Sequence, residues 1–125
     1  MARVPIILAI LVPALALGCG GDKRSAADIE RARVAVVVAL DSWKANGPAA
    51  GLKAAPDPVE FSEEMRATHT LTGYDLGKVD GSDPAVIRWA VILHLKDRKG
   101  KASDREEVYA VALKSPVVVS RDPYY

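Results

Sequence analysis

The sequence is poor in the residue types that small exported or catalytic domains commonly use. It has one cysteine, Cys19, so an intrachain disulfide is excluded. Its two histidines, His69 and His94, have no His-x-x-Glu or His-x-His spacing, and a zinc site needs at least three protein ligands. No serine lies in a Gly-x-Ser-x-Gly turn, and no Gly-x-Gly-x-x-Gly loop is present. We therefore expect a protein that is not an enzyme and that has no metal or cofactor.

Three carboxylates keep an acid–base alternative open. Asp75, Asp80 and Glu107 lie in the part of the chain that we expect to form a sheet, where they can line its concave side. Asp75, His94 and Glu107 are remote in sequence but can converge on one sheet face. Acid–base catalysis requires two groups whose pKa values are pushed apart in a pocket, and nothing in the spacing of these residues demands that.

The charge balance argues against a nucleic-acid partner. Once Arg3 is removed with the leader described below, the chain has 16 basic and 16 acidic side chains. A nucleic-acid-binding domain typically has a basic surplus or a basic stripe. The densest basic stretch, from Lys96 to Lys101, is followed at once by acidic residues. We interpret it as the solvated tip of a hairpin.

The first residues have the pattern of an export signal. Arg3 precedes an uncharged apolar run from Val4 to Leu17, which has the length of a signal-peptide core. A membrane-spanning helix needs roughly 20 apolar residues, more than this run contains. Pro5 and Pro13 also interrupt the run, and proline is unfavourable inside a helix.

The end of this run, Ala16-Leu17-Gly18-Cys19, resembles the lipobox of bacterial lipoproteins. The resemblance implies cleavage after Gly18 and a diacylglycerol on the sulfur of Cys19, which would attach the protein to a membrane. Residues 1–18 are then the signal peptide, 19–24 the lipidated N-terminus and tether, and 25–125 a single domain. An ordinary secretory signal and an uncleaved anchor are the alternatives. Because Gly20 rather than Asp follows Cys19, the resemblance favours the periplasmic face of the outer membrane over the inner membrane.

The first element of the exported chain is predicted to be a helix. Ser25 or Asp28 provides a cap at its start. Asn46-Gly47-Pro48 provides a stop, in which we expect glycine to take the left-handed position after the helix. The apolar residues recur at the helical spacing of three and four: Ile29, Ala32, Val36, Leu40 and Trp43.

A connector runs from Pro48 to Pro58, and the apolar period changes to two from Thr68. We expect Val59 to Phe61 to form a brief edge strand, and Glu63 to Ala67 to form a helical turn or a loop. The clearest strand runs from Val86 to Lys96 and ends in a hairpin at Asp97–Gly100. Its inward residues are predicted to be Ile87, Trp89, Val91, Leu93 and Leu95. Another strand is predicted at Thr68–Val79, with bends at Gly73 and Gly77. Two further strands are predicted at Glu106–Leu113, where Tyr109 faces inward, and at Val117–Val119.

A helix followed by three or four antiparallel strands indicates an α+β fold, with the helix packed on a curved sheet and with Trp43 and Trp89 in the shared core. This element order resembles the cystatin-like and NTF2-like group. Cystatins inhibit proteases through a Gln-x-Val-x-Gly loop, and the sequence contains no glutamine. An NTF2-like protein that binds or transforms a small ligand in a pocket stays as an alternative. An open polar cavity between helix and sheet would favour that alternative, whereas a filled apolar core would favour a binding or structural module.

The sequence also resembles, in short phrases, a group of uncharacterised lipoproteins of planctomycete-type bacteria. That resemblance implies a shared fold and a shared compartment but no activity. It does not identify an envelope partner. Tyr124 and Tyr125 are either a contact for a partner or frayed residues. The phrases are Trp43-Lys44-Ala45-Asn46-Gly47, Leu52-Lys53, Gly73-Tyr74-Asp75-Leu76 and the stretch from Tyr109 to Asp122.

Overall fold

The structure is a computed structural model that describes residues 24–54 and 57–125. The predicted signal peptide, its cleavage point after Gly18 and the lipidation of Cys19 lie outside these residues. Within the described ranges, one long helix precedes six strands, and a single 3-10 turn, Glu64–Ala67, lies between the second and third strands. The elements are α1 (Ala26–Lys44), β1 (Leu52–Ala54), β2 (Asp57–Ser62), β3 (His69–Asp80), β4 (Ile87–Asp97), β5 (Ala102–Ala112) and β6 (Val117–Arg121).

Helix α1 begins and ends at polar signals in the sequence. The side chain of Ser25 accepts a hydrogen bond from the backbone N–H of Asp28, which confirms Ser25 as the cap. The stop signal is also confirmed, but its detail was wrong, because Asn46 and not Gly47 takes the left-handed conformation, with φ 60°. Asparagine tolerates that region. Gly47 is needed for a different reason, since a Cβ there would lie 2.8 Å from the Ser42 hydroxyl oxygen.

The six strands form one mixed sheet in the order β1-β2-β6-β5-β4-β3. All neighbouring strands are antiparallel except β2 and β6, which are parallel. The α+β class is therefore confirmed, but the expectation of three to four antiparallel strands was wrong. The sheet gains β1 from the connector, and β2 is not an edge strand because β1 and β6 lie on its two sides.

The hairpin strands follow the predicted alternation, with one boundary error. All five inward residues of β4, from Ile87 to Leu95, are buried. Strand β3 has irregular register between Leu71 and Gly73 and between Leu76 and Val79, near the predicted bends. Strand β5 begins at Ala102, four residues before the predicted Glu106. Its first residues are exposed and polar, so they lack the alternation by which a half-buried strand is recognised.

The core fills the space between the helix and the concave face of the sheet. Helix α1 contributes Ala32, Ala35, Val36, Ala39, Leu40 and Trp43, which are all buried. Trp43 and Trp89 both belong to this core, as predicted. They serve different parts of it, because Trp43 packs on Phe61 and donates a hydrogen bond to the His69 carbonyl, whereas Trp89 lies opposite Val79.

Candidate functional site

The outer face of the sheet carries a histidine between two carboxylates. His94 on β4 lies opposite Asp104 on β5, and Asp75 on β3 lies on its other side. The Nδ1 atom is 2.8 Å from an Asp104 oxygen, and Nε2 is 2.9 Å from an Asp75 oxygen. A Cβ at Gly73, the residue paired with His94, would meet the imidazole ring at 3.5 Å.

The two carboxylates favour the protonated form of the imidazole. The hydrogen bond to Asp104, and then that to Asp75, raise the pKa of His94 above its ordinary value. In that form both ring nitrogens donate protons. A ring in that form has no free nitrogen lone pair with which to bind a metal ion. Within the described ranges, no group of three or more His, Cys, Asp and Glu side chains is arranged to hold a metal ion.

The other acid–base candidates do not join this cluster. Glu107 pairs with Val91, a buried inward residue, so it lies on the concave face, opposite to His94. Asp80 ends β3, where the Ser82 hydroxyl donates to its carboxylate and lowers its pKa. His69 begins β3 and contacts the Thr68 hydroxyl at 2.8 Å. The expected convergence is therefore correct for Asp75 and His94 but wrong for Glu107.

A second polar cluster lies at one end of the concave face and is buried. The Glu63 side chain is fully buried, and its Oε1 atom accepts a hydrogen bond of 2.5 Å from the Tyr109 hydroxyl. Its Oε2 atom accepts a 2.9 Å bond from the Met65 backbone N–H and lies 3.6 Å from Arg121 Nε. Burial, and then the hydrogen bond to Glu63, raise the pKa of Tyr109 far above its usual range. Its hydroxyl therefore stays protonated and donates to the glutamate.

The cluster extends along the concave face through two further charges. Arg121 also lies 3.7 Å from Glu107, and Glu107 is 3.0 Å from Arg105. Two glutamates and two arginines thus alternate, and they balance each other's charge. Each buried polar atom of Glu63 has a partner, as a stable interior requires. This arrangement connects β2, β5 and β6 at the parallel junction of the sheet, and we assign it a structural role.

Sequence reasoning missed Glu63 and Arg121 as members of this cluster. Glu63 directly follows β2, and Tyr109 pairs with Arg121 in the register of β5 and β6. Glu63 and Tyr109 are 46 residues apart. Only the parallel pairing of β2 with β6 brings them together, and no local pattern encodes such a pairing. The predicted inward position of Tyr109 was the one available signal.

Three surface grooves accompany these clusters. The groove between α1 and strands β2 and β6 has a volume of about 110 Å³, and Arg31 and Asp57 form an ion pair of 3.0 Å at its rim. A second, of about 140 Å³, lies beside the hairpin between β4 and β5 and is lined by Arg66, His69 and Arg98 among others. The third, of about 360 Å³, lies where the chain enters α1. None of the three is lined by the Glu63 cluster or the His94 cluster.

The described helix does not have the combination of length and apolar character needed to cross a bilayer. Comparison with known proteins finds no matching protein family, no similar curated protein and no similar solved structure.

Proposed function

We propose that this protein is a lipid-anchored component of a bacterial cell envelope and that it acts as a binding or structural module without catalysis of its own. In this proposal Cys19 carries the lipid, because the apolar leader ends in Gly18-Cys19. The favoured location is the periplasmic face of the outer membrane, because Gly20 follows the lipidated cysteine. The short planctomycete-type lipoproteins that the sequence resembles are the proposed relatives.

The filled concave face is the observation that carries the non-catalytic part of the proposal. Side chains from α1 and from the inward face of the sheet form one continuous apolar cluster. The groove between α1 and strands β2 and β6, at about 110 Å³, is smaller than the roughly 300–1,000 Å³ of typical small-molecule sites. The groove of about 360 Å³ has a volume within that range, but it lies at the start of α1 and the end of β3, outside the buried core. An NTF2-like pocket protein needs that space to be open and lined by polar groups. The same architecture, a helix across the concave face of a curved sheet, supports a cystatin-like or NTF2-like fold as the finer fold proposal.

The two polar clusters also support this proposal. In the Glu63 cluster the carboxylates are compensated by arginines, so no group is left as an uncompensated acid or base. In the His94 cluster both ring nitrogens already face carboxylates. A general base needs a free acceptor atom directed at its substrate.

A ligand screen of the mature protein tests the proposal. We expect purification without chelator to give less than about 0.1 metal ion per chain, and we expect no reproducible thermal stabilisation by small molecules. A ligand at tenfold excess over its Kd would add about 1.4 kcal/mol to the free energy of unfolding, which a thermal shift detects. Stoichiometric metal, or a ligand shift that His94→Ala removes, would contradict the proposal and favour the pocket alternative.

A further inference from the structure

The chain enters the described domain at one particular end of the sheet. Arg24 lies directly before α1, and its guanidinium donates a 2.6 Å hydrogen bond to the Pro84 carbonyl in the loop between β3 and β4. A Cβ at Gly81 in the same loop would lie 3.3 Å from the Arg24 Cβ. We call this end, formed by Arg24, Val79, residues 81–86 and Tyr124–Tyr125, the tether end.

Exposed apolar and aromatic side chains concentrate at the tether end. In the described part of the chain four large hydrophobic side chains are exposed, and three of them lie here: Val79 at 40%, Tyr124 at 91% and Tyr125 at 65%. The fourth, Ile92, lies on the outer face of β4. Val79 also lines the 360 Å³ groove with Arg24 and Ile29, so apolar surface continues from the loop to the start of the helix.

Arg88 fixes Asp122 and Tyr125 at this end, and the Tyr124 backbone N–H donates to the Asp122 carboxylate. Its guanidinium forms ion pairs of 3.0 Å with Asp83 in the β3–β4 loop and 2.8 Å with Asp122. The guanidinium carbon also lies 4.3 Å from the centre of the Tyr125 ring, a cation–π contact. The segment that contains the tyrosines is therefore fixed beside the loop rather than free of the domain.

We propose that the tether end docks on the surface of the phospholipid bilayer, with Tyr124 and Tyr125 in the interfacial region. This proposal rests on the lipid anchor proposed above. Four residues lie between Cys19 and Arg24, and an extended chain spans at most about 18 Å over these five steps. The tether end therefore stays near the bilayer. Strand β4 has 11 residues and runs from this end to the hairpin tip. Lys99 at the tip therefore lies roughly 35 Å from the tether end.

The chemistry of the tether end matches an interfacial contact. Tyrosine has an apolar ring and a polar hydroxyl, and it is enriched at membrane–water interfaces. Arg24 and Arg88 are already paired with Asp28, Asp83 and Asp122, so no surplus positive charge is available for anionic lipids. Because these three carboxylates outnumber the two arginines, added salt is expected to strengthen docking on anionic lipids rather than weaken it. A weak contact is sufficient, because the tether gives the surface a high effective concentration at the bilayer.

Depth-dependent fluorescence quenching tests this orientation. The full chain is produced in a bacterium that acylates lipoproteins and is reconstituted in phosphatidylethanolamine–phosphatidylglycerol vesicles that contain headgroup-quencher lipids. Ser82→Cys and Lys99→Cys each place one fluorophore, since Cys19 is the only native cysteine and is acylated. We expect at least fivefold stronger quenching at position 82 than at position 99.

Variants at the tyrosines show whether the tether end contacts the bilayer or is only held near it by the lipid anchor. Tyr124→Ser combined with Tyr125→Ser is expected to lower quenching at position 82 at least twofold. Ile92→Thr, which removes the exposed apolar side chain of the outer face, is the matched control and is expected to change nothing. Circular dichroism verifies that each variant is folded.

The outcomes distinguish the two proposals. Acylated protein with equal quenching at positions 82 and 99, or quenching that the tyrosine variants leave unchanged, would overturn docking and leave the anchor intact. Quenching that varies with the density of protein on the vesicle would indicate contact between copies and would also overturn it. A chain whose Cys19 carries no lipid in the mass spectrum would overturn both proposals.

Discussion

Replacement of Tyr109 by phenylalanine isolates the contribution of the buried Glu63 cluster. The side chain of Tyr109 is fully buried, and Tyr109→Phe keeps the ring while it removes the hydroxyl that donates to Glu63. Glu63 Oε1 then lies in a site closed to water without that donor. An unsatisfied buried polar group costs about 1–3 kcal/mol, so we expect a loss of that size in the free energy of unfolding. For a domain of this size, each kcal/mol corresponds to a fall in Tm of roughly 4–8 °C.

Urea denaturation measures this loss, with Tyr124→Phe as the matched control. Tyr124 is 91% exposed, and its replacement is expected to change the free energy of unfolding by less than about 0.5 kcal/mol. A double-mutant cycle of Tyr109→Phe with Glu63→Met is expected to give a coupling of about 0.5–3 kcal/mol. If Tyr109→Phe is as mild as the control, or if the coupling is zero, the cluster does not stabilise the parallel junction and our reasoning is refuted.

The remaining predictions concern the core and the outer face. Trp89→Ala should cost about 3–5 kcal/mol in chemical denaturation, because it empties a large buried site, whereas Lys99→Ala at the exposed hairpin tip should cost less than about 0.5 kcal/mol; similar losses would mean that the face assignment of β4 is wrong. NMR titration should give His94 a pKa above the ordinary value of about 6.5, and Asp104→Asn should lower it more than Asp75→Asn does; an unshifted pKa would contradict the hydrogen bonds. Because the folded-state pKa is raised, the stabilisation by His94 is fully present below about pH 6.5 and is lost as pH rises through the folded-state pKa.

Local periodicity predicted the elements that have one buried and one exposed face. In β4 the alternation of apolar and polar residues is complete from Ile87 to Leu95, because the helix covers one face and solvent the other. The stripe of α1 was predictable for the same reason. Of its five residues, Ala32, Val36, Leu40 and Trp43 are buried, and Ile29 is partly buried against the core.

Local patterns missed strand β1, and they placed β2 at the edge of the sheet instead of between β1 and β6. Strand β1 has three residues, and β2 contains Pro58, so neither has the length or composition of a typical strand. Both are held by neighbours, and β2 pairs in parallel with β6, whose residues are remote in sequence. The non-local pairing thus decided the number of strands and the position of the Glu63 cluster.

The sequence predicted only part of the His94 cluster, because it did not reveal which residues of β4 and β5 pair. Asp104 lies opposite His94 in the β4–β5 hairpin. The polar start of β5 left Asp104 in the predicted loop, which hid this pairing. Asp75 was a candidate from the sequence, but the register irregularity at Gly73 sets which residue of β3 reaches the histidine.

The mass of the N-terminal peptide tests the central claim, the lipid anchor, most directly. The chain is produced in a lipoprotein-processing bacterium, the membrane fraction is isolated, and the mature N-terminus is analysed by mass spectrometry beside a Cys19→Ser variant. We predict a peptide that begins at Cys19 and carries a diacylglyceryl group, and we predict that the variant is unprocessed or soluble. An unmodified Cys19, or cleavage at another position, would contradict the account.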